Sequence, residues 1–187
     1  MAKELETRIV DIDLDELRNK LNSIGAKKIK SENQINDLYD FEDSRLLNNK
    51  GYARIRTVHD LLNDKEIIFM TTKRLLSQGK FKEMEENEVI VDNKKMAEGI
   101  FKSLGLNVYQ SIKKYRESYR LFNSLIEIDI NDKSFCPFPY LEIETSSEEE
   151  LQKIVTILGY TLEDTTSATI YDILKERNLS PKNSKGL

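Results

Sequence analysis

The chain has 187 residues, 39% of them hydrophobic and 33% charged, with a formal net charge of −4 and a single cysteine. That composition supports one folded domain, and the acidic balance argues against a nucleic-acid partner, which calls for a basic face. Cys136 alone cannot close an internal disulfide or a cysteine-rich zinc site, no apolar run approaches the roughly 18 residues of a membrane span, and "MAKELETRIV" has no secretory h-region, so a cytoplasmic protein without a membrane partner is expected.

In chain order, a strand over 3–10 leads into "DLDELRNKLNSIG". There Leu14, Leu17, Leu21 and Ile24 form one stripe, Asp13 and Glu16 stand at capping-box spacing, and Gly25 is the stop, which predicts a helix. Strands are predicted at 26–40, 51–58, 65–74 and 80–92, with "NDK" at 63–65 turning one hairpin. A second helix, "NKKMAEGIFKSLG", ends at Gly105. Strands at 107–122, 124–131 and 139–145 are joined by "FNS" and "NDKSF". The helix "SSEEELQKIVTILG" follows, with Ser146 or Ser147 as cap, Glu149 or Glu150 in capping-box range, and Gly159 as stop. A last helix is predicted at about 165–177, before a frayed tail at 178–187. Short turns between eight strands make this an α+β chain with a largely antiparallel sheet, in one domain over 1–177.

The strand faces carry the chemistry. Side chains two apart share a face, which groups Glu4, Glu6 and Arg8; Tyr52, Arg54 and Arg56; Phe69, Thr71 and Lys73. The later strands group Met84, Glu86 and Glu88; Lys114, Arg116 and Ser118; Leu125, Glu127 and Asp129; Tyr140, Glu142 and Glu144. A single such strand is what an ordinary sheet with one solvated face shows. Here, however, the strands are sorted into acidic and basic pairs. Two carboxylates at i and i+2 stand about 6.6 Å apart and repel by about 2.5 kcal/mol at an effective dielectric near 20, against about 0.6 kcal/mol in water. Enclosed together, the acidic pairs call for a divalent cation and the basic pairs for a polyanion.

"ELETR" resembles the ExExK signature of the CYTH superfamily, the triphosphate tunnel metalloenzymes, with Arg8 in place of the usual lysine. The resemblance continues in order through "QINDLYDF", "LLNNKGYARIRT", "FMTTKR", "EENEVIVD", "KKYRESY", "IEIDI", "YLEIE" and the closing "IYDIL". It implies an eight-stranded antiparallel barrel, open at both ends, with helices packed outside and a triphosphate-containing small molecule in its lumen. Carried onto this chain, it makes Glu4, Glu6, Asp129, Glu142 and Glu144 the ligands of Mg²⁺ or Mn²⁺. It makes Arg8, Arg54, Arg56, Lys73, Lys114 and Arg116 the phosphate ligands, with Glu86 and Glu88 as acids that orient the bases. Two positions depart from the family: Met84 and Thr169 stand where it often has basic residues, Lys80 or Lys82 being the available substitute for the first. The implied activity is metal-dependent hydrolysis of inorganic or organic triphosphate. Its alternatives are a class IV adenylate cyclase, a thiamine triphosphatase with Tyr52 as a stacking residue, and a non-catalytic polyphosphate- or nucleotide-binding module. The oligomeric state stays open, a homodimer being one option.

Overall fold

The computed structural model describes residues 3–79 and 82–179, and for Lys3, Glu4 and Lys82 the backbone alone. The expected side chain of Glu4, the substitutes Lys80 and Lys82, and tail residues 180–187 therefore lie outside the described residues.

The chain forms β1 (Lys3–Val10), α1 (Leu14–Ser23), β2 (Lys27–Asp40), α2 (Arg45–Asn48), β3 (Tyr52–Asp60), β4 (Lys65–Gln78) and β5 (Lys82–Val91). It continues with α3 (Lys94–Ser103), β6 (Asn107–Leu121), β7 (Ser124–Asn131), β8 (Tyr140–Thr145), α4 (Glu148–Ile157), a 3₁₀ turn at Leu162–Asp164, β9 (Thr165–Thr166) and α5 (Ile170–Glu176). The strands run in the order β5-β4-β3-β2-β6-β7-β8-β1, and β1 also pairs with β5, which closes an eight-stranded antiparallel barrel. The closing pairs run from Lys3–Glu85 to Glu6–Lys82. In this ring β3 lies across the lumen from β8, and β4 from β7.

The helices start and stop by local chemistry. The Asp13 carboxylate accepts from the N–H of Asp15 and Glu16, Asn93 from Met96, and Ser147 from Glu150. Gly25, Gly105 and Gly159 follow the helix ends at φ of 74°, 88° and 93°, where a side chain would be strained. The Glu150 carboxylate does not return to its cap: it accepts from Asn123 N–H and Ser124 Oγ, pinning α4 to the β6–β7 turn.

The apolar core lies outside the barrel wall. Ile9, Ile126, Ile128, Leu141 and Ile143 point outward and are covered by Leu17 and Leu21 of α1 and by Leu151, Ile154 and Val155 of α4. Ala97 and Phe101 of α3 cover Tyr39, Ala53 and Ile55 in the same way. Strand alternation then sends the charged set inward. The structure differs from the sequence expectation at two places. The helix expected at 165–177 starts at Ile170, because Thr165 and Thr166 pair with Ile9 and Arg8 as β9. The fourth strand runs past 74 to Gln78, with an irregularity between Leu75 and Ser77.

Candidate functional site

The barrel encloses a cavity of about 720 Å³. Its walls carry Glu6, Arg8, Arg54, Arg56, Lys73, Glu86, Glu88, Lys114, Arg116, Glu127, Glu142 and Glu144, together with Lys30 and Lys50. Every expected phosphate-binding residue therefore lines one space, and so do both orienting acids.

Arg54, Arg56 and Lys73 form a basic wall on β3 and β4. Arg54 approaches Glu86 and Glu88 at 3.4 Å each, Arg56 reaches Glu88 at 2.9 Å, and Lys73 meets Glu86 at 3.2 Å and Glu6 at 3.6 Å. Glu86 and Glu88 thus pair with these cations from the neighbouring strand β5. Burial together with the adjacent Arg54 lowers the pKa of Arg56. Lys73 is held well above its ordinary range: burial opposes the charge, but Tyr52, Glu6, Glu86 and Glu144 outweigh it. Burial alone would raise Glu86, yet Lys73 and Arg54 keep it low and ionised. Gly51 lets this wall close, since a Cβ there would stand 2.8 Å from the backbone oxygen of Lys73.

The opposite wall is acidic. Glu127, Glu142 and Glu144 each bring a carboxylate oxygen within 4.8 Å of the others. The β7–β8 register sets Glu127 directly opposite Glu142, and the β8–β1 register sets Glu144 opposite Glu6. Arg116 bridges this wall: Nη1 pairs with Glu127, Nη2 donates to Glu142 at 2.9 Å, and Nε and Nη2 each meet Asp129 at 2.6 Å. Glu142 is held far below the usual carboxylate range: its burial is outweighed by Arg8 and Arg116. Glu144 is pushed up to about 8 by burial and by the charge of Glu127, and it has no ion pair among the described residues.

The expected ligands therefore divide. Glu6, Glu142 and Glu144 face the cavity. Asp129 is 0% exposed and saturated by Arg116 and by Lys114 at 2.7 Å, so it serves the bases. Glu127, absent from the expected ligand set, stands opposite Glu142, whereas Asp129 stands opposite Tyr140; both acids of "IEIDI" share a face, and only the strand register separates them. Burial and Arg116 lower the pKa of Lys114. Arg8 is engaged at both ends of its fork, by Glu142 and by the Ala168 carbonyl at 2.5 Å, and fastens the segment before α5 to the barrel. Met84 lines the cavity, and Thr169 caps α5 in a reciprocal pair with Asp172.

The acidic group has the donor chemistry of a divalent-cation site: hard carboxylate oxygens, with Glu144 in no direct ion pair among the described residues. Beyond the charged zone the cavity turns apolar. Leu38, Ile112, Phe135 and Tyr140 pack there with Tyr52, Tyr109, Ile170 and Tyr171, and α5 covers that end. Sequence reasoning did not find this chamber, because residues from five elements build it.

The strands thus form a closed antiparallel barrel in which a basic wall faces an acidic one across a polar lumen. The chain belongs to the CYTH domain family, whose profile matches residues 2–170. Among solved structures, PH1819 from Pyrococcus horikoshii OT3 is 22% identical, with 93% of this chain and 99% of that one covered at a TM-score of 0.76. PH1012 from the same organism is 26% identical, with 90% and 98% covered at 0.72. HpAC1 from Hippeastrum, described as an adenylyl cyclase candidate with a dominant triphosphatase activity, is 16% identical, with 98% and 100% covered at 0.68. No curated protein matches the chain. No helix among the described residues is long and apolar enough to cross a membrane.

Proposed function

We propose that this chain, as one domain over residues 1–177, is a divalent-metal-dependent triphosphatase that acts on a triphosphate held in the barrel lumen. The observation that carries this reading is the opposition of the Arg54, Arg56 and Lys73 wall to the Glu127, Glu142 and Glu144 cluster within one cavity of about 720 Å³.

Arg54 and Arg56 offer guanidinium forks that match phosphate oxygens in pairs, and Lys73 adds a compact charge. Their contacts to Glu86 and Glu88 are mostly longer than 3 Å, so the bases are oriented yet retain donors for a ligand. Glu127, Glu142 and Glu144 would hold the cation, with Glu6 beside them on β1. A bound Mg²⁺ or Mn²⁺ supplies Lewis-acid polarisation of a phosphoryl oxygen and lowers the pKa of a bound water. Arg116 and Arg8 keep Glu142 ionised and aimed, and Arg116 also braces Glu127. Glu144, its pKa raised to about 8, would have to release its proton to serve as a cation ligand. Most of the rate then comes from positioning and charge neutralisation, as in other phosphoryl transfers. No side-chain nucleophile takes part.

The apolar chamber beyond the charged zone favours a second reading, in which the substrate carries an organic group and a ribose hydroxyl replaces water, giving a cyclase. A cavity of about 720 Å³ falls within the roughly 300–1,000 Å³ of sites that take drug-sized ligands. The test is a panel of inorganic triphosphate, ATP and thiamine triphosphate with Mg²⁺ or Mn²⁺, with phosphate, pyrophosphate and cyclic AMP resolved. Release of phosphate, fastest from inorganic triphosphate, supports the triphosphatase. Cyclic AMP as the main product from ATP supports the cyclase, and no turnover of any substrate contradicts both.

A further inference from the structure

Asn36 stands in the tunnel wall on β2, directly opposite Arg56 on β3 and Ile112 on β6. It is 5% exposed, and both its carboxamide atoms, Nδ2 and Oδ1, are buried with no hydrogen-bond partner among the described residues. Among the buried side-chain atoms without a partner, Arg8, Arg54 and Arg56 contribute Nε, Gln34 and Asn131 one amide atom each, and Thr57 its hydroxyl; Asn36 contributes both a donor and an acceptor. Native proteins pair the large majority of such groups, so an amide without either partner calls for an explanation. Two residues further along the same face, Leu38 belongs to the apolar chamber, so Asn36 marks the border between the charged zone and that chamber.

The chemistry of the group narrows what it meets. A carboxamide offers one face that donates and one that accepts. A phosphate oxygen satisfies the donor and leaves the carbonyl oxygen facing an anion. A hydroxyl donates and accepts, and so satisfies both. We propose that Asn36 is a specificity residue for a hydroxyl group at this border, carried by the organic part of the ligand or by the attacking water. The inference rests on the reading of the lumen as a triphosphate site.

The experiment compares wild type with Asn36→Leu, which keeps the volume, and Asn36→Ala. Three quantities are measured: melting temperature without ligand; affinity by calorimetry, with Ca²⁺, for inorganic triphosphate, ATP and 2′,3′-dideoxy-ATP; and turnover of inorganic triphosphate with Mg²⁺. A partner-free amide predicts that the unliganded Leu variant melts at the wild-type temperature or up to roughly 5 °C above it. Affinity for inorganic triphosphate stays within about twofold in both variants. A ligand hydroxyl is indicated by an ATP affinity lowered roughly three- to thirtyfold while the dideoxy analogue is unaffected. Attacking water is indicated by a fall of about tenfold or more in kcat on inorganic triphosphate at unchanged KM. The proposal is overturned if the Leu variant melts several degrees lower, if all three ligands lose affinity equally, or if nothing changes. A wild type that binds none of the ligands removes the triphosphate reading itself. A wild type that binds them, with variants indistinguishable from it, removes the role of Asn36 alone.

Discussion

Replacing Glu144 with Gln tests the electrostatics of the acidic wall without any ligand. Glu144 is raised from 4.5 to about 8, with burial the larger cause and Glu127 the next. Below pH 4.5 the carboxyl is protonated in both the folded and the unfolded chain and contributes nothing to pH dependence. Between pH 4.5 and about 8 the folded protein holds a proton that the unfolded chain has lost, so folding takes up a proton and stability falls as pH rises. Each pH unit across that window is worth 1.36 kcal/mol, so up to about 5 kcal/mol accumulates by pH 8, after which the dependence levels off. Glu144→Gln carries no such charge. Its melting temperature should match wild type near pH 4.5 and exceed it increasingly up to pH 8, by roughly 10–20 °C at 2–4 °C per kcal/mol. The assay is a series of melts from pH 4.5 to 9 without divalent cations. A difference between the two proteins that does not vary with pH, or a variant that loses ground as pH rises, would refute the placement of Glu144 in a buried anionic cluster.

Arg54→Ala, Arg56→Ala and Lys73→Ala should each weaken triphosphate binding by about 1.5–3 kcal/mol, measured calorimetrically with Ca²⁺; unchanged affinity in all three would place these side chains outside the site. Asp129→Asn should lower stability by about 3–5 kcal/mol, because Lys114 would lose its carboxylate partner and Arg116 one of its three; a melt at the wild-type temperature would contradict its assignment to the bases. Glu127→Gln should weaken Mn²⁺ binding about tenfold or more by titration, and full retention would remove Glu127 from the cation site.

Much of the barrel was legible because its causes are local. Period-two alternation put Arg54 and Arg56 on one face, and the helix stops at Gly25, Gly105 and Gly159 needed nothing beyond the glycine itself. What escaped depends on partners distant in sequence. The short helix α2 has no apolar periodicity; it forms because the buried Asp40 carboxylate accepts from the N–H of Leu46 and Leu47. The two residues of β9 are a strand only because β1 is there to pair with them. Glu127 and Asp129 look equivalent along the chain. The fork of Arg116 and the register with β8 send one to the acidic cluster and bury the other among the bases.

The central claim is that this lumen is matched to a triphosphate and a divalent cation together, and a thermal-shift series tests it most directly. Wild-type protein is melted with triphosphate, pyrophosphate or phosphate at equal concentration, with Ca²⁺ present in each. A ligand that binds only the folded chain adds about 2.7 kcal/mol at a hundredfold excess over Kd. At roughly 2–4 °C per kcal/mol, triphosphate should raise the melting temperature by about 5–10 °C, with pyrophosphate well below it and phosphate near zero. Equal shifts for all three anions, or none at saturating triphosphate, would contradict the claim.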